Sequence, residues 1–148
     1  MTGRVVELAR RPGKDEPMEL QMALTLVEGD GLAEDYGKNE RRQVTLISAE
    51  QWKDVESDLG QSLPWHTRRA NVLVEGVTLD PAVGGALRIG DCELEILGET
   101  VPCGLMDQLC PGLREALGPD HRGGVYGRVA RGGIIEPGAE VKYFPPEH

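Results

Sequence analysis

Cysteine is the one strong nucleophile that this sequence offers. It occurs three times, as Cys92, Cys103 and Cys110. There is no Gly-x-Ser-x-Gly elbow, no Walker loop and no Cys-x-x-Cys pair. Zinc-type spacings are missing too: His66, His121 and His148 are scattered, and Cys103 and Cys110 are seven residues apart. Cys92 shares a strand face with Leu94 and Ile96, which predicts a small buried hydrophobe. Cys110 precedes Pro111, so its backbone is expected to be extended at a helix start, with a packed or merely exposed thiol and nothing charged beside it. Cys103 leaves the strand-like run CELEILGETV through Pro102 and enters a turn with Gly104 behind it. Such a turn projects a side chain from the mouth of a barrel with little bulk to shield it. On its own this placement fits an inert thiol as well as a functional one.

The cations around it shift that balance. HRGGVYGRVARGG supplies Arg122, Arg128 and Arg131 among glycines, including Gly123 and Gly124, whose small size lets backbone N–H groups approach a ligand. HTRRANVLVEG adds Arg68 and Arg69, and KNERRQV adds Lys38, Arg41 and Arg42. Nearby cations favour the thiolate, which is the reactive and metal-binding form. Each cluster alone reads as solvated surface. Three of them in a chain of net charge −9 make an anion pocket plausible, if the fold brings them together.

The elements that must do so are short. The 148 residues fit one domain, 1–148, large enough to fold without staples. With one Phe, three Tyr and two Trp, the core must rest on Val, Leu, Ile and Met. Acidity argues against nucleic acid, and no apolar run is long enough for a membrane helix. MTGRVVELARRPGKDEP has no signal-peptide core, so the expected location is the cytoplasm, where thiols stay reduced.

GRVVELA, QVTLI, NVLVEGV, ALRI, CELEIL, GVYGRVA and EVKYF read as strands punctuated by Gly and Pro. MELQMALTLV alternates, which predicts one strand with Met18, Leu20, Met22, Leu24 and Leu26 on a single face. About eight short strands in a domain of this size predict a mostly β fold, a small closed or nearly closed barrel with a few short helices. ISAEQWKDVESDLG carries full helix signals: Ser48 at the N-cap, Gln51 three residues on, and Gly60 past the end. PGLREALG reads as a second, shorter helix over one end of the barrel.

Several of these stretches, in order, resemble the MOSC family, named for the C-terminal domain of molybdenum-cofactor sulfurase. They are LVEGDGL, RRQVTLIS, TRRANVLVEGV, LRIGDCELEILGETVPC and GLREALGPDHRGGVYGRVARGGIIEPGAEV. The likeness covers nearly the whole chain. Two positions depart from the family's pattern. GDGLAEDYGKN holds no His, and Gly138 is followed by Ala139 where many members have Asp.

The resemblance implies a mostly β barrel and puts the family's cysteine at Cys103. In eukaryotic relatives such as the mitochondrial amidoxime-reducing component, that cysteine ligates the molybdenum of a pterin cofactor. The function implied is therefore a molybdenum-cofactor binding protein with Cys103 as thiolate ligand, acting as a small reductase of N-hydroxylated compounds. Arg68, Arg69, Asn71, Arg122, Gly123, Gly124 and Arg128 are the expected cofactor-binding residues, and an electron-donor protein is the expected partner. The alternative implied is a sulfur carrier. Cys103 would then hold a persulfide received from a cysteine desulfurase, with pyridoxal phosphate entering only through that partner, and deliver it to metal-sulfur assembly.

Overall fold

A computed structural model describes residues 2–36 and 42–147. Seven staves close on themselves: β1 (Thr2–Arg10), β5 (Val44–Ser48), β6 (Val72–Glu75), β7 (Ala86–Ile89), β8 (Cys92–Glu99), β9 (Val125–Arg131) and β11 (Glu140–Phe144). Around the barrel they run β11-β7-β8-β9-β5-β6-β1, and β1 pairs back onto β11. Each coincides with one of the seven strand runs read as simple strands from the sequence. Closure leaves these staves without a free edge. All neighbours are antiparallel except β5 and β6, which are parallel and so need a crossover between them.

That crossover is α1 (Ala49–Leu59) followed by a 3-10 turn, Trp65–Arg68. Ser48 caps α1 as expected, its Oγ accepting from the Gln51 N–H at 3.3 Å, and Gly60 ends it in the left-handed region at φ 69°. The reciprocal half of the capping box is not made, because the Gln51 amide donates to the Asp120 carbonyl at 2.6 Å.

β5 and β6 are buried on both faces. Leu46, Val72 and Val74 enter the barrel core with Leu8, Leu87, Ile89, Leu94 and Ile96. Ile47 and Leu73 point outward, into a second core with Trp52, Val55, Trp65, Met106, Leu113 and Leu117. Two-sided burial explains why these strands read as continuous apolar runs. The second core clamps α1, α2 (Leu105–Leu109) and α3 (Leu113–Ala116) onto the outside of the barrel.

The eighth predicted strand is corrected. MELQMALTLV splits into β2 (Glu19–Gln21), which extends the barrel sheet beside β1, and β3 (Leu24–Val27). β3 belongs to a separate three-stranded sheet with β4 (Gly31–Leu32) and β10 (Gly133–Ile135). The chain changes sheets at Met22 and Ala23, so the alternation does not describe one face: Leu24 is fully buried while Met22 is 81% exposed. Pairing geometry overrode the period-2 pattern.

Replacing Ser48 by Ala removes the α1 cap while leaving its apolar face intact. A loss of about 1 kcal/mol is expected. Urea unfolding should show the midpoint lowered and the slope unchanged.

Candidate functional site

β8 ends at Glu99, and the chain runs through Thr100, Val101 and Pro102 to Cys103. The Thr100 N–H donates to the Gly124 carbonyl at 2.9 Å, tying this loop to the start of β9. The Cys103 carbonyl accepts from the Met106 N–H at 3.0 Å, which opens α2. The Cys103 side chain is exposed, and a Cβ added at Gly104 would meet nothing within 4 Å. Cys92 and Cys110 are both buried. Burial, and then the charge of Asp91, pushes the Cys92 thiol up and keeps it protonated. Cys110 is extended at φ −157°, as its following proline predicts.

Cys103 stands at a cleft of about 500 Å³ that also takes in Arg68, Arg69, Asn71, Arg42, Arg11 and Lys14. Five cationic side chains thus face two carboxylates, Asp15 and Asp35, in a chain of net charge −9. The cleft has two electrostatic ends. Arg68 senses the Cys103 sulfur and Arg42, whereas Arg69 senses Arg11, Asp15 and Asp35. The carboxylates thus offset the cations at the Arg69 end. The charged groups that act on Arg68 beside Cys103 are the sulfur itself and Arg42.

Arg68 is the least conventional residue here. It is only 6% exposed. Its Nη2 donates to the Thr100 carbonyl at 2.8 Å, its Nε to the Gly123 carbonyl at 3.3 Å, and its Nη1 lies 3.5 Å from the Met106 sulfur. All three acceptors are neutral, and no carboxylate pairs with it among the described residues. A guanidinium has five N–H donors, so two remain unused. Burial lowers its pKa to about 10; the Cys103 sulfur opposes that fall and Arg42 adds to it. Below pH 10 the buried group is still charged, and that charge costs stability. The cost is relieved only as pH rises from about 10 toward the unfolded value, where the native state has lost the proton and the unfolded chain has not. An anion in the cleft would relieve it at neutral pH.

The neighbouring residues are placed by the 3-10 turn. Arg69 closes it in the left-handed region at φ 67°, a strained conformation for a residue with a Cβ. Its N–H bonds to the His66 carbonyl at 2.9 Å and its Nη1 to the Glu16 carbonyl at 3.0 Å, which holds the reversal. The turn sends two adjacent guanidinium groups to different ends of one cleft. Asn71 pins three strands together. Its Oδ1 accepts from the Thr45 N–H and hydroxyl, both at 3.0 Å, and its Nδ2 donates to the Ala9 carbonyl at 3.3 Å. Only one amide hydrogen is left to face a ligand.

The remaining expected site residues lie outside the cleft lining. Arg122 pairs with Asp58 at 2.6 Å and donates to the Ala116 carbonyl, joining α1 to α3. Arg128 pairs with Glu95 at 2.7 Å across β9 and β8 on the barrel surface. Gly123 and Gly124 serve close backbone approach: an added Cβ would come within 2.2 Å of the Thr100 carbonyl or 2.0 Å of the Leu46 carbonyl. Gly123 reaches the site through its carbonyl, which receives Arg68. Arg42 lines the cleft with its guanidinium 5.2 Å from the Tyr126 ring centre. Arg131 is exposed on β9. Lys38 and Arg41 lie outside the described residues. Arg11 and Lys14 are cleft residues that the sequence reading passed over. They sit in ARRPGKD, a charged turn directly after β1, and that turn was the available signal.

With this geometry in view, the family can be assigned. The MOSC domain model matches residues 33–142, most of the chain. The chain belongs to the MOSC family. Its fold is similar to that of the YuaD protein from Bacillus subtilis, with a TM-score of 0.84 and 20% identity over 99% of this chain and 98% of that one. It is also similar to YiiM from Geobacillus stearothermophilus, at 0.77 and 18% identity over 97% of this chain and 75% of that one. YiiM from Escherichia coli gives 0.72 and 15% identity, covering 97% and 71%. At these identities the likeness is one of fold. No curated protein matches the sequence. Among the described residues of this MOSC protein, no helix is long and apolar enough to cross a membrane.

A buried guanidinium with only neutral partners should make the fold respond to oxyanions. Saturating inorganic phosphate is expected to raise the melting temperature by roughly 5 °C over chloride at equal ionic strength. Arg68→Gln should abolish the rise. A wild-type protein indifferent to phosphate would contradict this account of the cleft.

Proposed function

We propose that this MOSC protein binds a molybdenum-pterin cofactor, with Cys103 as the protein's thiolate ligand to the metal. The observation that carries the reading is Arg68: a charged, buried group without a carboxylate partner among the described residues, in the same cleft as an exposed thiol. The residues present fit such a group. The described residues hold no cluster of three His, Cys, Asp or Glu side chains able to grip a bare ion. A metal held here has to bring most of its own ligands, as a pterin dithiolene does, and to accept one soft sulfur from the protein. The Thr100 hydroxyl beside the cleft is buried with no hydrogen-bond partner among the described residues, a further polar group left without a partner.

Each residue's part follows from its surroundings. Arg68 and Arg42 supply positive charge in the cleft that holds the sulfur, which attracts an anionic group. Arg69, Arg11 and Lys14 extend that attraction to the far end of the cleft, and Asp15 and Asp35 there can accept hydrogen bonds from ring N–H groups. When bound, the cofactor supplies a two-electron centre suited to reducing an N-hydroxylated compound to the amine and water. The electrons would come from a separate donor protein.

The exposure of Cys103 alone among the cysteines favours a second reading, that of sulfur carrier. The Cys103 thiolate would attack the outer sulfur of a desulfurase persulfide. The desulfurase S–S bond breaks, its thiolate leaves, and Cys103 keeps the persulfide, with no net oxidation.

Anaerobic purification from a host rich in the cofactor separates the two. Near-stoichiometric molybdenum and pterin fluorescence are expected in the wild type, with at least a tenfold loss of metal in Cys103→Ser. Wild-type protein free of molybdenum overturns the cofactor reading. Addition of one sulfur mass to Cys103 by a desulfurase and cysteine would then favour the carrier.

A further inference from the structure

Helix α2 is apolar on both faces. Met106 and Cys110, one turn apart, are buried in the outer core. Leu105 and Leu109, also one turn apart, point the other way; each is 41% exposed, and both line the Cys103 cleft. Val101, two residues before the cysteine, is exposed as well. A surface helix ordinarily turns polar side chains outward, and only Asp107 and Gln108 in α2 do so. A cleft serving hydrated anions alone gains nothing from aliphatic side chains beside its thiol. These leucines follow Cys103 closely in the chain and line the same cleft as its thiol.

From this we infer that Leu105 and Leu109 form a recognition wall for the molecule that reacts at Cys103, and that this molecule is small with an apolar, aromatic or aliphatic body. The inference deepens the reading in which Cys103 is the reacting centre, and rests on it for that point alone. The cations of the cleft hold anionic groups, and the leucines select what approaches from the open side. The size of the patch favours a small molecule over a protein partner. Three aliphatic side chains, two of them more than half covered, fall far short of the roughly 800 Å² per partner that a stable protein interface buries.

The test reads the thiol directly, so it is independent of cofactor loading. The full chain is made in a host lacking molybdenum cofactor and alkylated with iodoacetamide or with N-phenyliodoacetamide. In each case the thiolate forms a C–S bond and iodide leaves. Rates are normalised to those of glutathione, and Cys103→Ser provides the blank. The aromatic reagent is expected to be favoured about tenfold in the wild type, the worth of burying roughly two methylene equivalents. Leu105→Gln and Leu109→Gln together should remove the preference and leave the iodoacetamide rate within about twofold. Leu105→Met, which keeps the apolar surface, should retain it. No aromatic preference in the wild type, or a preference that survives both Gln substitutions, overturns the inference. So does a double variant impaired only in accepting sulfur from a desulfurase, which would make the patch a protein-docking surface. None of these results depends on whether molybdenum is found.

Discussion

The site depends on one buried guanidinium. Arg68 holds the Thr100 carbonyl, the Gly123 carbonyl and the Met106 sulfur at once. These belong to the loop leading to Cys103, the turn entering β9, and the helix that follows the cysteine. Without that three-way bridge, the segment between β8 and α2 would be tied down chiefly by the Thr100 to Gly124 bond. The bridging group is a cation because only a guanidinium offers a planar fan of donors wide enough to reach three elements. The accompanying charge, kept out of water, would favour an anion in the cleft. Scaffold and cleft charge are thus two consequences of one side chain.

This also separates the arginines by role. Arg122 and Arg128 have carboxylate partners, and their charges are used in holding helices and strands together. Arg68 has none among the described residues, and Arg69 sits in a mixed field of Arg11, Asp15 and Asp35. The cleft is therefore graded in its described lining: Arg68 and Arg42 near the sulfur, and Arg69, Arg11 and Lys14 mixed with Asp15 and Asp35 farther off. A flat polar ligand with one anionic end could be oriented by that gradient alone.

Much of the barrel was legible because its staves are short, apolar and bounded by glycine and proline. All seven strands that close it were visible as separate runs, and α1 announced itself through Ser48 and Gly60. MELQMALTLV misled because alternation reports a half-buried face and not which sheet owns it. Its two halves serve different sheets: β2 turns back onto the preceding β1, whereas β3 pairs with β10, far away in sequence. Around the site, the exposure of Cys103 followed from its Pro and Gly neighbours. Which arginines would join it did not. Arg68 and Arg69 are adjacent in sequence, and only the left-handed backbone at Arg69, a conformation no residue type there betrays, directs them apart. Gly123 and Gly124 look like a ligand cradle in sequence. In space they are where β9 passes against the Thr100 and Leu46 carbonyls, a tight crossing that needs the same residue type.

The pairing of β1 with β11 carries a consequence for biosynthesis. Thr2 lies opposite Lys142, so the ring is sealed between the first and the last of its seven staves in chain order. During translation the nascent chain can assemble six staves but not the circle, and the outer flanks of β1 and β7 stay open to wrong partners until β11 emerges. Entropy taxes so long a loop closure, which places the sealing step late and makes it slow relative to local hairpins such as β7–β8.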